Sequence, residues 1–540
     1  MKCFTIFRVK TCGKNFYMKI IPSTFRLFTR LFLLCIGLVL FQRLVASQQN
    51  NPEYIYLPKE EVIDKIRGGL LGQILGNLNG LPHEMRYIHE PGNVKNYVPS
   101  LPEGAWSDDD TDFEWVYVVK MQKNRTMFLS GDMIYNFWKE RINNRIWCSN
   151  IFARYLMDIG IKPPLTGTST LNPWADFNIS GQFLCETFGL MAPAMPQTAA
   201  KIGLNYTSVA IDNEPSQTTQ LFTTMISTAF IEKDINKILD AGIVALDEKS
   251  LIINIISDVR NWHQSFPDNW IETRKLLKEK YTREDGKIRD RNGFELNTGS
   301  IIAALLYGKG DFSESLKYAF NFGWDADCNA ATVGTIMGVM HGYRKMLSHN
   351  DPFEPEWIIV DRYRNLTREN MPLDETITSF ADRIIELFEM INEENGGTQT
   401  LLNNIVVYKI ASEKPTPIKK LSSREEQFKE LKVNLESQIL DDLLNGNRED
   451  RARAVYISIC LELNTFYSKK YPKQWKDACY DLNGYWKILN NIFTKRHDFI
   501  ELNKLQQKFS EAGFSAPLKN YSNQDLWNES IIWKEPAEIY

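Results

Sequence analysis

The chain has 540 residues, with 63 Lys+Arg against 67 Asp+Glu for a formal net charge of -4, and 43% of its residues are hydrophobic. Such a length holds two or three domain-sized units. Nearly balanced charge excludes the basic face of a dedicated nucleic-acid binder, and 8 cysteines over the whole chain exclude a disulfide-dense mini-fold. What remains is an enzyme-sized globular protein whose chemistry must be read from local constellations.

At the amino terminus, Lys2, Arg8, Lys10, Lys14, Lys19, Arg26 and Arg30 precede the apolar run Leu31–Phe41. The run is shorter than the roughly 20 residues of a spanning helix and has the length of a secretory signal's hydrophobic region. Val45-Ala46-Ser47 supplies small residues for cleavage after Ser47, so residues 1–47 read as a signal peptide, with Met18 a second possible start. An uncleaved anchor is the alternative, suggested by Arg43 directly after the run. The expected place is the secretory lumen or outside the cell, with no membrane contact after cleavage. Sequons at Asn124, Asn178, Asn205, Asn365, Asn520 and Asn528 then become candidate glycosylation sites. Cys148, Cys185, Cys328, Cys460 and Cys479 remain after cleavage, an odd number. Cys460 and Cys479 are the expected disulfide pair.

Beyond the signal, helical periodicity dominates. Ile66, Leu70, Leu71, Ile74 and Leu78 line one helix face, and the same spacing predicts helices over Ser216–Phe230, Ile235–Ala245, Ser300–Leu306 and Phe380–Ile391. The fold class is all-α. Lys162–Pro173, with three prolines and a glycine, reads as an ordered loop. After Glu393 the text changes: Gly396-Gly397, then Pro415 and Pro417, mark residues 394–420 as a linker or extended crossing. Ser422 and Ser423 before Glu425 and Glu426 start a new helix, so 421–540 is expected as a second helical unit of unknown role after a first domain at 54–393.

Two features join small residues to acids. Gly68, Gly72, Gly76 and Gly80 recur every fourth position on one apolar helix, and Gly334, Gly338 and Gly342 repeat the spacing on another, expected over Asn329–Met346. A glycine inside a helix costs about 1 kcal/mol relative to alanine, so stripes in register need a packing reason, namely close approach of another backbone. The second stripe follows Trp324-Asp325-Ala326-Asp327-Cys328, and upstream stands Trp106-Ser107-Asp108-Asp109-Asp110-Thr111-Asp112 ahead of the helical run Phe113–Met121. One acid suffices to cap a helix. Contiguous carboxylates repel one another, and a dication with oxygen ligands is the natural compensation; hard ligands favour Mg²⁺, then Mn²⁺ and Ca²⁺. The 6 histidines, His83, His89, His263, His341, His349 and His497, show no zinc-ligand spacing.

The run Arg67–Glu84 (RGGLLGQILGNLNGLPHE), Asp-Asp-Thr at 109–111, Gly323-Trp-Asp-Ala-Asp-Cys-Asn-Ala-Ala331, Ile179–Leu190 and Asn297–Ile301 together resemble the ADP-ribosylglycohydrolase (DraG-like) family, over roughly Tyr54–Glu393. The resemblance implies a compact all-α fold with two Mg²⁺ or Mn²⁺ ions in a central cleft. It also implies hydrolysis of the bond between the anomeric ribose carbon of ADP-ribose and a side chain or small acceptor. By resemblance, Asp109 and Asp110 match paired ligand aspartates, with Asp108 where threonine is usual. Asp325 and Asp327 match the second pair, with Cys328 where Thr or Ser is usual, and Glu84 matches a loop carboxylate over substrate and metal. Glu84 and Asp109 are thus the expected catalytic carboxylates. Trp106, Trp324 and Asn297 are the expected substrate contacts, the two tryptophans as stacking faces or as core. Asn77 stands where the family commonly has an aspartate, and a ligand register of Ser107, Asp108 and Asp109 is a second possibility. Beside the ADP-ribose reading stand two others: the same fold acting on another nucleoside-like or sugar glycoside, and a catalytically silent secreted binding protein.

Overall fold

The computed structural model describes residues 8–11, 14–17, 53–176, 178–282, 293–348, 357–490 and 500–514. The apolar run and cleavage site of the expected signal lie outside these residues. The chain divides after Glu53. In the first unit Arg8–Thr11 pairs antiparallel with Lys14–Tyr17.

The second unit is all-α apart from short strands. Its organising contact is between two helices, Lys59–Gly80 and Ala326–His341. They run antiparallel with their glycine stripes face to face. A Cβ on Gly72 would stand 2.0 Å from the Gly334 carbonyl oxygen, one on Gly76 2.0 Å from that of Ala330, and one on Gly338 2.1 Å from that of Gly68. No side chain fits between these backbones. The stripes are therefore one antiparallel seam, and its last contact, Gly80 against the Asp327 Cα, carries the seam up to the acids.

The expected helix over Asn329–Met346 is broken at Gly342. With φ +79° that residue ends the Ala326–His341 helix, and Tyr343–Leu347 follows as a separate short one. The other expected helices lie inside Asn213–Ala229, Ile235–Val244, Phe294–Tyr307 and Ile377–Glu394, apart from one residue at the carboxy-terminal end of each of the first two. Ile377–Glu394 is the most amphipathic of the four and opens on a capping box between Thr376 and Ser379.

Residues 394–420, expected as a linker, are structured in two parts. Thr398–Leu402 and Ile405–Ala411 form a hairpin turning on Asn403 and Asn404, both at positive φ, where asparagine is tolerated. The second strand also pairs antiparallel with Tyr54–Pro58. The stretch that follows crosses the surface in extended form: Glu413 accepts from Thr198 N and Oγ1 (2.8 and 2.7 Å), and the Lys419 carbonyl accepts from Gln217 and Gln220. The helices beyond, Arg424–Asn445, Arg448–Cys460, Asn464–Lys470, Pro472–Leu489 and Ile500–Glu511, belong to the same compact unit as the catalytic region. Arg453 donates to the Gly160 carbonyl at 3.1 Å, Tyr456 to that of Leu171 at 2.7 Å, and Arg424 pairs with Asp176. Cys460 and Cys479, the expected disulfide pair, are free thiols. Cys460 is buried at its helix end in contact with Tyr456.

Candidate active site

Three segments converge where the glycine seam ends. Ala105–Trp106 pairs parallel with Tyr363–Arg364, and Ser107 N donates to the Arg364 carbonyl at 2.7 Å, which sets Asp108 at the N-cap of the helix Asp109–Asn124. Asp325 is the N-cap of Ala326–His341. Glu84 follows the single 3-10 turn Leu81–His83 that ends the first glycine helix. Because the two glycine helices are antiparallel, the end of one meets the start of the other, and the acids meet with them.

Three overlapping groups of ligand atoms result, each within 4.8 Å: Asp108 with Asp109 and Asp110; Asp110 with Asp327 and Cys328; Glu84 with Asp325 and Asp327. Asp110 and Asp327 are each shared by two groups. Asp110, Asp325, Asp327 and Cys328 are buried, Asp108 and Asp109 half-buried, and Glu84 exposed. Burial first, then the charge of Asp327, holds the Asp110 carboxyl well above the usual range; burial and then Asp325 do the same to Asp327, and burial and then Asp108 to Asp109. Asp110 Oδ1 and Asp327 Oδ1 are buried with no hydrogen-bond partner. Crowded carboxylates with orphaned oxygens fit a bound dication.

Asn77, the departure from the family's aspartate, donates from one Nδ2 to Asp108 Oδ2 at 3.0 Å and to Asp110 Oδ2 at 2.6 Å. A neutral amide donor here lowers the charge of the cluster by one while keeping both acids in place. Ser107 is not available to the second register: its Oγ accepts from Leu366 N and lies 2.7 Å from Thr367 Oγ1. Asp112 is not a ligand either. It forms a fully buried ion pair with Arg368 at 2.8 Å and accepts from Thr367, although burial still pushes its carboxyl up to about 6.

The structure gives two of the three expected substrate contacts other work. Asn297 is fully buried; its Oδ1 accepts from Asp325 N at 3.1 Å and from Asn329 Nδ2 at 2.8 Å, while its Nδ2 holds the Gly293 carbonyl. Gln182 extends the chain by donating to Asn329 Oδ1 at 3.0 Å, so the motif at 179–182 reaches the acids through two amides. Trp324 is 1% exposed and its face is covered by the Arg274 guanidinium at 4.4 Å, which leaves no side for a ligand ring. Trp106 is half-buried and keeps an open part.

Several residues that support the site carry no local sequence signal. Arg274 donates to the Phe322 carbonyl at 2.8 Å and to that of Tyr87 at 2.7 Å, tying the loop after Glu84 to the Gly323-Trp324 turn. Met85 N also donates to the Trp324 carbonyl at 2.8 Å. A Cβ on Gly323, which has φ +78°, would stand 2.3 Å from the Tyr87 carbonyl oxygen, so only glycine fits under this loop. Beneath the cluster, Gln73 Nε2 donates to the Asp110 carbonyl at 2.8 Å and to Glu114 Oε2 at 2.7 Å. Glu114 also accepts from Thr187 N, and neighbouring Glu186 accepts from Thr332. A glutamine on the apolar glycine helix was the one visible hint of this buried layer.

The model of one protein family, ADP-ribosylglycohydrolase, matches residues 58–393. No curated protein matches the chain significantly in sequence. Among solved structures, a chain described as "ADP-ribosylglycohydrolase-related protein complex" is 13% identical with a TM-score of 0.37, over 61% of this chain and 99% of that one. The family model covers more than half of the chain and spans both acidic clusters, both glycine stripes and Glu84: the chain belongs to the ADP-ribosylglycohydrolase family and is a hydrolase of that family.

Proposed function

We propose that this protein hydrolyses an ADP-ribose-type N- or O-glycosidic bond with two divalent cations, Mg²⁺ or, second, Mn²⁺, and a water. The observation that carries the reading is the convergence of the three ligand groups, with buried, unpartnered oxygens on Asp110 and Asp327. Asp108, Asp109, Asp110, Asp325, Asp327 and Cys328 would hold the ions. When bound, such ions polarise a water and the ribose hydroxyls. Glu84, exposed beside Asp325 and Asp327, accepts the proton of the attacking water. Asp109, half-buried on the adjoining helix start, is the second catalytic carboxylate, and the open part of Trp106 offers a stacking face. Asn297 and Arg274 act on the substrate only through Asp325 and the Glu84 loop. The protein acts in the secretory lumen or outside the cell; among the described residues no helix is long and apolar enough to cross a membrane.

The test is release of ADP-ribose from an ADP-ribosylated protein, or of a base from a nucleoside-like glycoside, with and without EDTA. Activity is expected to vanish with the chelator and in Asp325→Ala. Turnover indifferent to both would reject the reading, and turnover of only the nucleoside-like glycoside would move it to another substrate of the same fold.

One observation favours a second reading, a catalytically silent binding protein. Asn77 already satisfies one oxygen each of Asp108 and Asp110, so part of the acidic cluster is balanced by the protein itself. Absence of Mg²⁺ and Mn²⁺ binding in calorimetry would select that reading.

A further inference from the structure

We propose that the two cation positions are chemically unlike. The buried one, formed by Asp110, Asp327 and the Cys328 sulfur, takes a first-row transition ion such as Co²⁺ or Zn²⁺ in preference to Mg²⁺, whereas Asp325 and Asp327, with Glu84 beside them as the base, form an all-oxygen position suited to Mg²⁺. This rests on the metal-dependent reading above and deepens it.

The geometry is specific. Cys328 offers its Sγ within 4.8 Å of ligand oxygens on Asp110 and Asp327, and all three residues are buried. An oxygen on each of those two carboxylates is buried without a hydrogen-bond partner, so hard donors and one soft donor stand together in a buried group. Cys328 lies in the first turn of the helix Ala326–His341; burial, then the Asp110 charge, holds its thiol well above the usual range, a penalty that a bound cation would offset. Of the three groups this alone contains sulfur. Thiolate ligands favour Co²⁺ and Zn²⁺ over Mg²⁺, which demands oxygen ligands and keeps its waters. On binding, the sulfur–metal bond replaces the S–H bond and the proton leaves to solvent, so no oxidant or reductant is needed. Asp327, common to both groups, would be a ligand shared by the two positions.

The experiment titrates the full chain and Cys328→Ser with Co²⁺, followed by near-ultraviolet absorption, and with Mg²⁺, followed by calorimetry. The wild type is expected to develop a thiolate-to-cobalt charge-transfer band that Cys328→Ser lacks. The variant should bind Co²⁺ more weakly by on the order of tenfold or more, with Mg²⁺ affinity unchanged or raised. Co²⁺ binding without the band, or a band that survives in Cys328→Ser, would overturn the sulfur assignment and leave the metal-dependent reading standing. Failure of the wild type to bind either ion would overturn both. If Cys328→Ser does not fold, X-ray absorption of the Co²⁺-loaded wild type decides: a sulfur scatterer near about 2.3 Å supports the assignment, and an all-oxygen shell overturns it.

Discussion

Replacing Gly76 by alanine sets two effects of opposite sign against each other. In an isolated helix the change stabilises by about 1 kcal/mol, because alanine loses less backbone freedom than glycine. In the seam the added Cβ would lie 2.0 Å from the Ala330 carbonyl oxygen and 2.3 Å from its carbon. Both obstacles are helix backbone, which cannot rotate aside as a side chain can. The helices must part by more than an ångström to restore ordinary contact, and overpacking of that kind costs about 1–3 kcal/mol, here at the upper end. The net expectation is a loss of about 2 kcal/mol. Ala330 stands one helical turn beyond Asp327, so Mg²⁺ affinity should fall together with stability. Urea unfolding of both proteins, with midpoint and slope fitted separately, measures the first quantity and calorimetry the second. A Gly76→Ala protein as stable as the wild type or more so, with unchanged metal binding, would refute the claim that the seam positions the acids.

Burial pushes the Glu114 carboxyl up to about 7 against 4.5 in the open chain, despite its hydrogen bonds from Thr187 and Gln73. A raised folded value means a contribution fully present below the unfolded value and lost as pH rises through the folded one. Stability should therefore fall between pH 4.5 and about 7 by on the order of 2–3 kcal/mol, and denaturant unfolding of Glu114→Gln should show that fall removed. Arg274→Met removes the donors that hold the loop after Glu84; amide exchange at Met85 and at Gly92, whose N–H groups donate to the Trp324 and Asn321 carbonyls, should accelerate, with stability lower by about 1.5–3 kcal/mol, and unchanged exchange would reject the clamp. Among the sequons, Asn124 is exposed at a helix end, whereas Asn178 is fully buried with its amide bonded to Ser149. Peptide mapping of protein made in a secretory pathway should find glycan on Asn124 and none on Asn178.

How much of this was legible in the sequence depends on whether a signal is local. The fourfold glycine spacing and the contiguous acids are local, and they led to the seam, to the helix starts and to the ligand groups. The antiparallel meeting of the stripes followed only from the backbone, since spacing alone does not tell which carbonyl each glycine faces. Ile405–Ala411 is rich in β-branched residues and follows Asn403-Asn404, a turn signal, yet the prolines after it drew the whole stretch toward a linker. This central strand has its second partner some 350 residues upstream, at Tyr54–Pro58, beyond any local window. Arg274 and Arg368 act through partners far away in sequence and sit in unremarkable contexts. Trp324 adjoins the acids in sequence, but its positive φ turns it into the core against Arg274; adjacency along the chain did not make an open face.

Asp327 is the residue common to the group that contains Cys328 and the group that includes Glu84, and by the proposal above these groups assemble a two-cation hydrolytic centre. Calorimetric titration of Mg²⁺ and Mn²⁺ into the wild type and into Asp327→Asn tests it most directly, with circular dichroism to establish that both are folded. About two ions per chain are expected in the wild type, with that stoichiometry lost in the variant. A folded wild type that binds neither ion, or a variant that binds both ions unchanged, would contradict it.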